Sequence, residues 1–338
     1  MRRLFRCLFI SVLLFALCGC APREASVQFF AMDTYMTLSA SGKGSEETLQ
    51  KIQAEITRLE SLLDRTDESS LISQLNRANG ASVSVDEETC RLLSASAAYA
   101  DATGGAFDIT VAPVVSAWGF TSDQFRVPTQ SELETLLQTV GTEHMTLSEK
   151  EAALSPNTQI DLGGIAKGAA CDIVRQVAEE YGVTRGYVSI GGNIVALEKK
   201  PFGSDFWFGI RDPQRGANDS LCAVQLYGKT MATTGAYERF FEQDGVTYHH
   251  VLDPQTGWPA DSDLLSVSVI CEDGALADYL STTLYVLGKE TVLDCLERQD
   301  FQLIAVGEDG KVYCSSSLKG EMRADPAAAY EFVYGERQ

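Results

Sequence analysis

The sequence predicts an α+β fold, with packed helices on mixed and antiparallel sheets. Helix-period stretches and strand-like runs follow one another without strict βαβ alternation. The C-terminal end reads as a hairpin with an Asp309-Gly310 turn. No Pro- or Ser-rich linker divides the chain, so residues 27–338 are read as one compact unit with subdomains.

Each element has its own signal. Val27 to Ala40 reads as a strand pair or one long strand. Leu49, Ile52, Ile56, Leu59 and Leu62 recur at helical spacing and predict an amphipathic helix over 46–63. Asp86 caps a predicted helix over 87–101, which stops before Gly104-Gly105. Ser131 and Glu134 form a capping box for a helix over 132–140. A fourth helix is expected from near Gly164 to Tyr181. Tyr187 to Ile190, Phe206 to Arg211, Leu221 to Tyr227 and Leu264 to Cys271 are strand-like. Helices over 274–287 and 289–298 precede the terminal hairpin, Phe301 to Val306 and Val312 to Cys314.

Of the 338 residues, 27 are Lys or Arg and 47 are Asp or Glu, giving a net charge of −20. So acidic a surface repels phosphate backbones, which excludes sequence-independent nucleic-acid binding. An anionic small ligand would need local neutralisation by a metal ion or a helix N-terminus. The N-terminus departs from this balance. Arg2, Arg3 and Arg6 precede the apolar run Cys7 to Leu17, too short for a membrane span. Leu17-Cys18-Gly19-Cys20 resembles a bacterial lipobox, which makes 1–19 a signal peptide, Cys20 the lipid acceptor and 20–26 a tether. A plain secretory signal is the alternative. The protein is then expected on the outer face of the cytoplasmic membrane. None of Cys90, Cys171, Cys222, Cys271, Cys295 and Cys314 has metal-type spacing, and they read as buried free thiols.

Asp161-Leu-Gly-Gly-Ile-Ala-Lys-Gly168 follows a strand-like entry and opens a helix. Its glycines permit close backbone approach, its first-turn amides favour an anion, and Lys167 adds a positive charge. A tight strand-to-helix turn with a surface lysine reads equally well. Asp108 stands alone among the apolar residues of Gly104 to Pro113 and needs a partner. Ser189 to Asn193 is a glycine turn after a strand. His249 and His250 precede Asp253-Pro-Gln-Thr-Gly257; a nearby Asp can orient an imidazole, and the same residues mark turns. Asp278 and Thr282, four apart on a helix, share one face and offer two hard oxygens to Mg²⁺, or form an ordinary solvated face.

Taken in order, eight segments resemble the ApbE family, the FAD:protein FMN transferases. They are Ala31 to Thr34, Ser70 to Asn76, Gly104 to Pro113, Asp161 to Gly168, Ser189 to Asn193, Ala232 to Phe240, His250 to Gly257 and Ala277 to Thr282. The resemblance implies Mg²⁺-dependent transfer of FMN from FAD to a Thr or Ser of an exported acceptor, a redox subunit, with release of AMP. By position it implies that Met32 packs near the isoalloxazine. Ala106, Phe107, Asp108, Asp161, Lys167 and Leu252 line the FAD site. The Gly164 carbonyl, Asp278 and Thr282 hold the metal, with Ser281 as an extra contact, and His250 is the base. The usual Gly after Val111 is Ala112 here, which leaves Asp108 in place. Two other readings share these residues: an FAD-binding or FAD-hydrolysing lipoprotein, and a solute-binding lipoprotein. The lipobox carries its own test: Cys20→Ala is expected to move the protein from the membrane to the soluble fraction on cell fractionation.

Overall fold

Residues 24–122, 124–197, 206–216 and 218–335 are described by a computed structural model. One nine-stranded sheet organises them: β1 (Glu24–Ala31), β2 (Thr34–Ser41), β3 (Gly186–Ile190), β4 (Asn193–Ala196), β5 (Thr230–Gly235), β6 (Leu264–Cys271), β7 (Gln302–Gly307), β8 (Lys311–Cys314) and β9 (Glu331–Tyr334). Sheet order follows chain order. Neighbours are antiparallel except β8 and β9, which run parallel. Between β2 and β3 come α1 (Ser45–Leu63), α2 (Leu71–Arg77), α3 (Glu87–Ala102), α4 (Ala112–Trp118), α5 (Gln130–Leu137) and α6 (Ala166–Glu180). Between β6 and β7 lies α7 (Gly274–Cys295). The α+β expectation holds.

The central strands are buried on both faces, so their side chains divide by period two. Leu303 and Ala305 of β7 pack in one cluster with Leu284 and Tyr285 of α7. Ile304 and Val306 pack on the opposite side, with Ile210, Leu221 and Val224 of a small second sheet. A third cluster joins α1 and α6 to β2 and β3 through Leu49, Ile52, Ile56, Val174, Leu38 and Val188. The result is a large sheet with helices on one face and a three-stranded sheet on the other.

Several boundaries differ from the sequence reading. The tether expected over 20–26 ends sooner: Glu24, Ala25 and Ser26 already pair with Ser41, Ala40 and Ser39, and Ser39 Oγ donates to Glu24 Oε1 at 2.9 Å. Residues 1–19 and Cys20 lie outside the described residues. The third predicted helix starts earlier, because Ser/Thr-x-x-Glu occurs twice there and Thr129 is the cap used; its hydroxyl accepts from Glu132 N–H at 3.2 Å. The fourth starts at Ala166, two residues after Gly164. The two helices predicted over 274–287 and 289–298 are parted as expected at Gly288, whose φ of 81° only glycine adopts easily, and only the end of the second differs, at Cys295. All six described cysteines are free, and burial pushes the Cys222 and Cys271 thiols up to about 12. Among the described residues no helix is long and apolar enough to cross a membrane.

The tightest approach in the helical layer is between α6 and α7. A Cβ on Gly168 would lie 2.1 Å from the Gly274 carbonyl oxygen, and one on Gly274 would lie 2.4 Å from the Gly168 carbonyl oxygen. Neither obstacle is a flexible side-chain tip, so the helices themselves would have to part. Gly168→Ala is therefore expected to destabilise the protein by about 2–3 kcal/mol in urea unfolding. A change within about 0.5 kcal/mol would contradict this packing.

Candidate active site

The α6–α7 contact also delivers the acidic residue predicted for chemistry. Asp278 is 3% exposed, and its Oδ2 accepts the Gly168 N–H at 2.9 Å. Lys167 Nζ lies 4.0 Å from Asp278 Oδ1 and donates to the Gly163 carbonyl at 3.2 Å. The anion-ready helix start is thus partly used by the protein itself. The Ala166 amide is taken by the Leu162 carbonyl and the Gly168 amide by Asp278. One turn beyond Asp278, Thr282 Oγ1 sits 3.1 Å from Thr234 Oγ1, and Ser281 Oγ sits 2.8 Å from the same oxygen. Thr234 lies on β5, so the sheet fixes the height of these hydroxyls.

Phe107 and Gly164 are adjacent, since a Cβ on Gly164 would lie 2.9 Å from Phe107 Cε2. Phe107 also meets Tyr279 edge-on at 5.1 Å, and Tyr279 stacks on Tyr99 at 3.9 Å. Ala106 is buried beside it. Asp108 is 7% exposed; its Oδ1 accepts the Thr110 N–H at 2.8 Å and hydroxyl at 2.6 Å. Burial nevertheless raises its pKa above the ordinary carboxylate value. Asp108 lines a cleft of about 420 Å³ with Gly104, Gly105, Glu143 and Gln255. Gln255 Nε2 donates to the Gly104 carbonyl at 2.7 Å, which ties the Asp253–Gly257 turn to the glycine loop.

Asp161 is held from two sides. Its Oδ1 accepts the Gly163 N–H at 2.8 Å, and its Oδ2 is 2.7 Å from Arg65 Nε. Arg65 also reaches Ser116 Oγ at 3.0 Å. Sequence reasoning missed Arg65 because 96 residues separate it from Asp161. Met32 and Asp33 form the two-residue turn between β1 and β2, with φ of 49° and 59°. Positive φ at both positions marks a type I′ turn, uncommon for Met. The Met32 N–H is secured by Glu60 Oε1 at 2.6 Å. Asp33 pairs with Arg239.

Arg239 leads to His250. The His250 Nδ1 lies 3.2 Å from the Arg239 carbonyl, and the His250 backbone N–H donates to that same oxygen at 3.0 Å. The surrounding protein pushes the imidazole pKa down to about 4, and the charges of Lys167, His249 and Arg239 act in the same direction. Leu252 departs from this grouping: it is 7% exposed, packed with Val114, Trp118, Phe120 and Leu133, and its side chain serves a local core. Among the described residues no three His, Cys, Asp or Glu side chains converge on one point.

The sequence pattern of the ApbE family matches residues 32–306. The chain belongs to the ApbE family. Among its ApbE relatives, the FAD:protein FMN transferase of Treponema pallidum is 31% identical over 296 residues, covering 81% of each chain. That of Escherichia coli K12 is 29% identical over 302 residues, covering 85% of this chain and 86% of its own. The solved ApbE protein of Thermotoga maritima superposes with a TM-score of 0.82 at 33% identity, covering 88% of this chain and 99% of its own. The flavin transferase ApbE of Vibrio cholerae gives 0.79 at 27%, covering 89% and 99%.

The histidine environment has a measurable consequence. Below its ordinary value of 6.5, His250 takes up a proton in the unfolded chain but not in the folded one until about pH 4. Its contribution to stability is present above about 6.5 and is lost as pH falls toward 4. His250→Gln is expected to lose less stability than wild type between about pH 7 and 4.5, read from urea midpoints; equal losses would contradict the assignment.

Proposed function

We infer that this protein transfers the FMN half of FAD to a hydroxyl of an acceptor protein. The observation that carries the reading is the meeting of Lys167 and Asp278 at the α6 N-terminus in an ApbE-family chain. In the reaction, the acceptor Oγ attacks the phosphorus on the FMN side of the pyrophosphate. The new O–P bond forms as the bond to the AMP phosphate breaks, and AMP leaves with the bridging oxygen and the electron pair.

The hydroxyl is a weak nucleophile, so a base must take its proton. His250 suits that role in its neutral form. With Nδ1–H directed at the Arg239 carbonyl, Nε2 keeps the free electron pair. Burial is the main cause of the low basicity of His250 in the free enzyme, and the Lys167 charge adds to it. An anionic pyrophosphate beside Lys167 would offset the Lys167 part of that shift. Phe107, Ala106, Asp108, Asp161 and Met32 are assigned to FAD. Arg65 keeps the Asp161 carboxylate in place beside the glycine turn.

The donor set also fits Mg²⁺. Asp278 Oδ2 is spent on an amide, while its Oδ1 has Lys167 only at 4.0 Å and remains available. Asp278, the Thr282 hydroxyl and the Gly164 carbonyl, with Ser281 alongside, would hold the ion; all are hard oxygens, and a single carboxylate leaves room for substrate phosphate. Bound there, Mg²⁺ would neutralise charge on the pyrophosphate oxygens. We assign the acceptor hydroxyl to a Thr or Ser of an exported redox subunit, and the enzyme to the outer face of the cytoplasmic membrane through lipidated Cys20.

The test combines FAD, Mg²⁺ and a panel of exported flavoprotein domains. An acceptor is expected to gain the mass of FMN less one water, with flavin fluorescence that survives denaturation. Asp278→Ala is expected to slow transfer by roughly 10²–10³-fold. Free FMN and AMP as the sole products would make the protein an FAD hydrolase instead, and near-normal turnover of Asp278→Ala would remove the metal assignment.

A further inference from the structure

We propose that an aromatic groove beside His250 seats an apolar side chain of the acceptor protein, adjacent in sequence to the hydroxyl that receives FMN. The proposal rests on the transferase reading above and specifies its second substrate. The groove, about 410 Å³, is lined chiefly by Phe120, Phe125, Phe240, Arg239, Glu238 and Asp33. Phe125 and Phe240 are 41% and 49% exposed, unusual for large aromatic rings. Phe125 is nevertheless held in place, edge-on to Phe120 at 5.7 Å and stacked on Phe241 at 5.2 Å. A fixed, exposed aromatic surface is suited to binding, because little side-chain freedom is lost on contact.

Position identifies the occupant. The Phe120 ring centroid is 6.4 Å from that of His250, and the Arg239 carbonyl holds the His250 Nδ1. None of the side chains assigned to FAD lines the groove. A two-substrate transfer needs two binding regions that meet at the base. Phe120 and Arg239 put the groove at that base. Charge then selects the chemistry. Asp33 is paired with Arg239, and Glu238 lies 3.6 Å from Arg211. The groove's charges are thus met within the protein, and its remaining surface is aromatic. An uncharged, apolar side chain fits that surface; a charged one would have to break an existing pair.

Two 15-residue peptides test this, identical except that the central Thr is flanked by Leu in one and by Ser in the other. Binding to FAD-loaded enzyme is read by fluorescence anisotropy before Mg²⁺ is added. Wild type is expected to prefer the Leu peptide by about tenfold. In the Phe125→Ser/Phe240→Ser double variant the preference is expected to shrink to about twofold or less, with FAD affinity and thermal midpoint unchanged. Because both rings are exposed, the substitutions spare the core; Phe125→Tyr/Phe240→Tyr is expected to keep the preference. No preference in wild type, or one that persists in the Ser variant, overturns the proposal. Mass spectrometry after Mg²⁺ addition reads transfer separately. Transfer without a Leu preference removes the groove and leaves the transferase reading standing. A groove-dependent Leu preference without transfer removes the transferase reading and, with it, the FMN acceptor as the occupant of the groove.

Discussion

The buried carboxylate of Asp278 is the point on which the rest of the site depends. It accepts the Gly168 amide across a helix pair so close that neither Gly168 nor Gly274 has room for a Cβ. Asp172 strengthens the same junction from the other side, accepting the Gly274 and Ala275 amides at 2.7 and 3.0 Å at the start of α7. Each helix therefore satisfies amide donors of the other, which costs little because those donors would otherwise need water. The exchange sets the height of Lys167, Thr282 and Ser281 relative to β5.

An acidic protein that handles a pyrophosphate must concentrate positive charge locally. Here each nearby cation already faces a carboxylate: Arg65 faces Asp161, Arg239 faces Asp33, and Lys167 stands 4.0 Å from Asp278. Pairing keeps these side chains ordered in a molecule of net charge −20. It also means that binding an anion redistributes charge within existing pairs. The low basicity of His250 comes mainly from burial, with smaller contributions from the charges of Lys167 and Arg239.

The β1–β2 turn and the Phe240–His249 hairpin approach this centre from opposite ends of the sequence. Their link is the Asp33–Arg239 pair, across 206 residues. Met32 adopts a left-handed backbone in that turn, and Gly191 of the β3–β4 turn packs so close to Thr34 that a Cβ would lie 2.6 Å from its hydroxyl. The two turns support each other at the same end of the sheet. Such a conformation at a non-glycine residue persists only where neighbours enforce it.

Local information was enough for much of the architecture. The helical spacing of Leu49 to Leu62, the Asp86 cap, the continuous apolar run of Leu264 to Cys271 and the Asp309-Gly310 turn are each dictated by neighbours within a few residues. They appear in the structure within a residue or two. The short α2 and α4 were not legible, because seven residues carry too little periodicity. In the site, the sequence determined which side chains were candidates and that Asp278 and Thr282 share a helix face. Only the tertiary structure decided how the donors are spent. It gave two of the first-turn amides of α6 to Leu162 and Asp278, placed Leu252 in a core, and supplied Arg65 and Thr234 as partners. Those outcomes depend on contacts between segments tens to hundreds of residues apart, and side-chain spacing along one chain carries no information about such pairings.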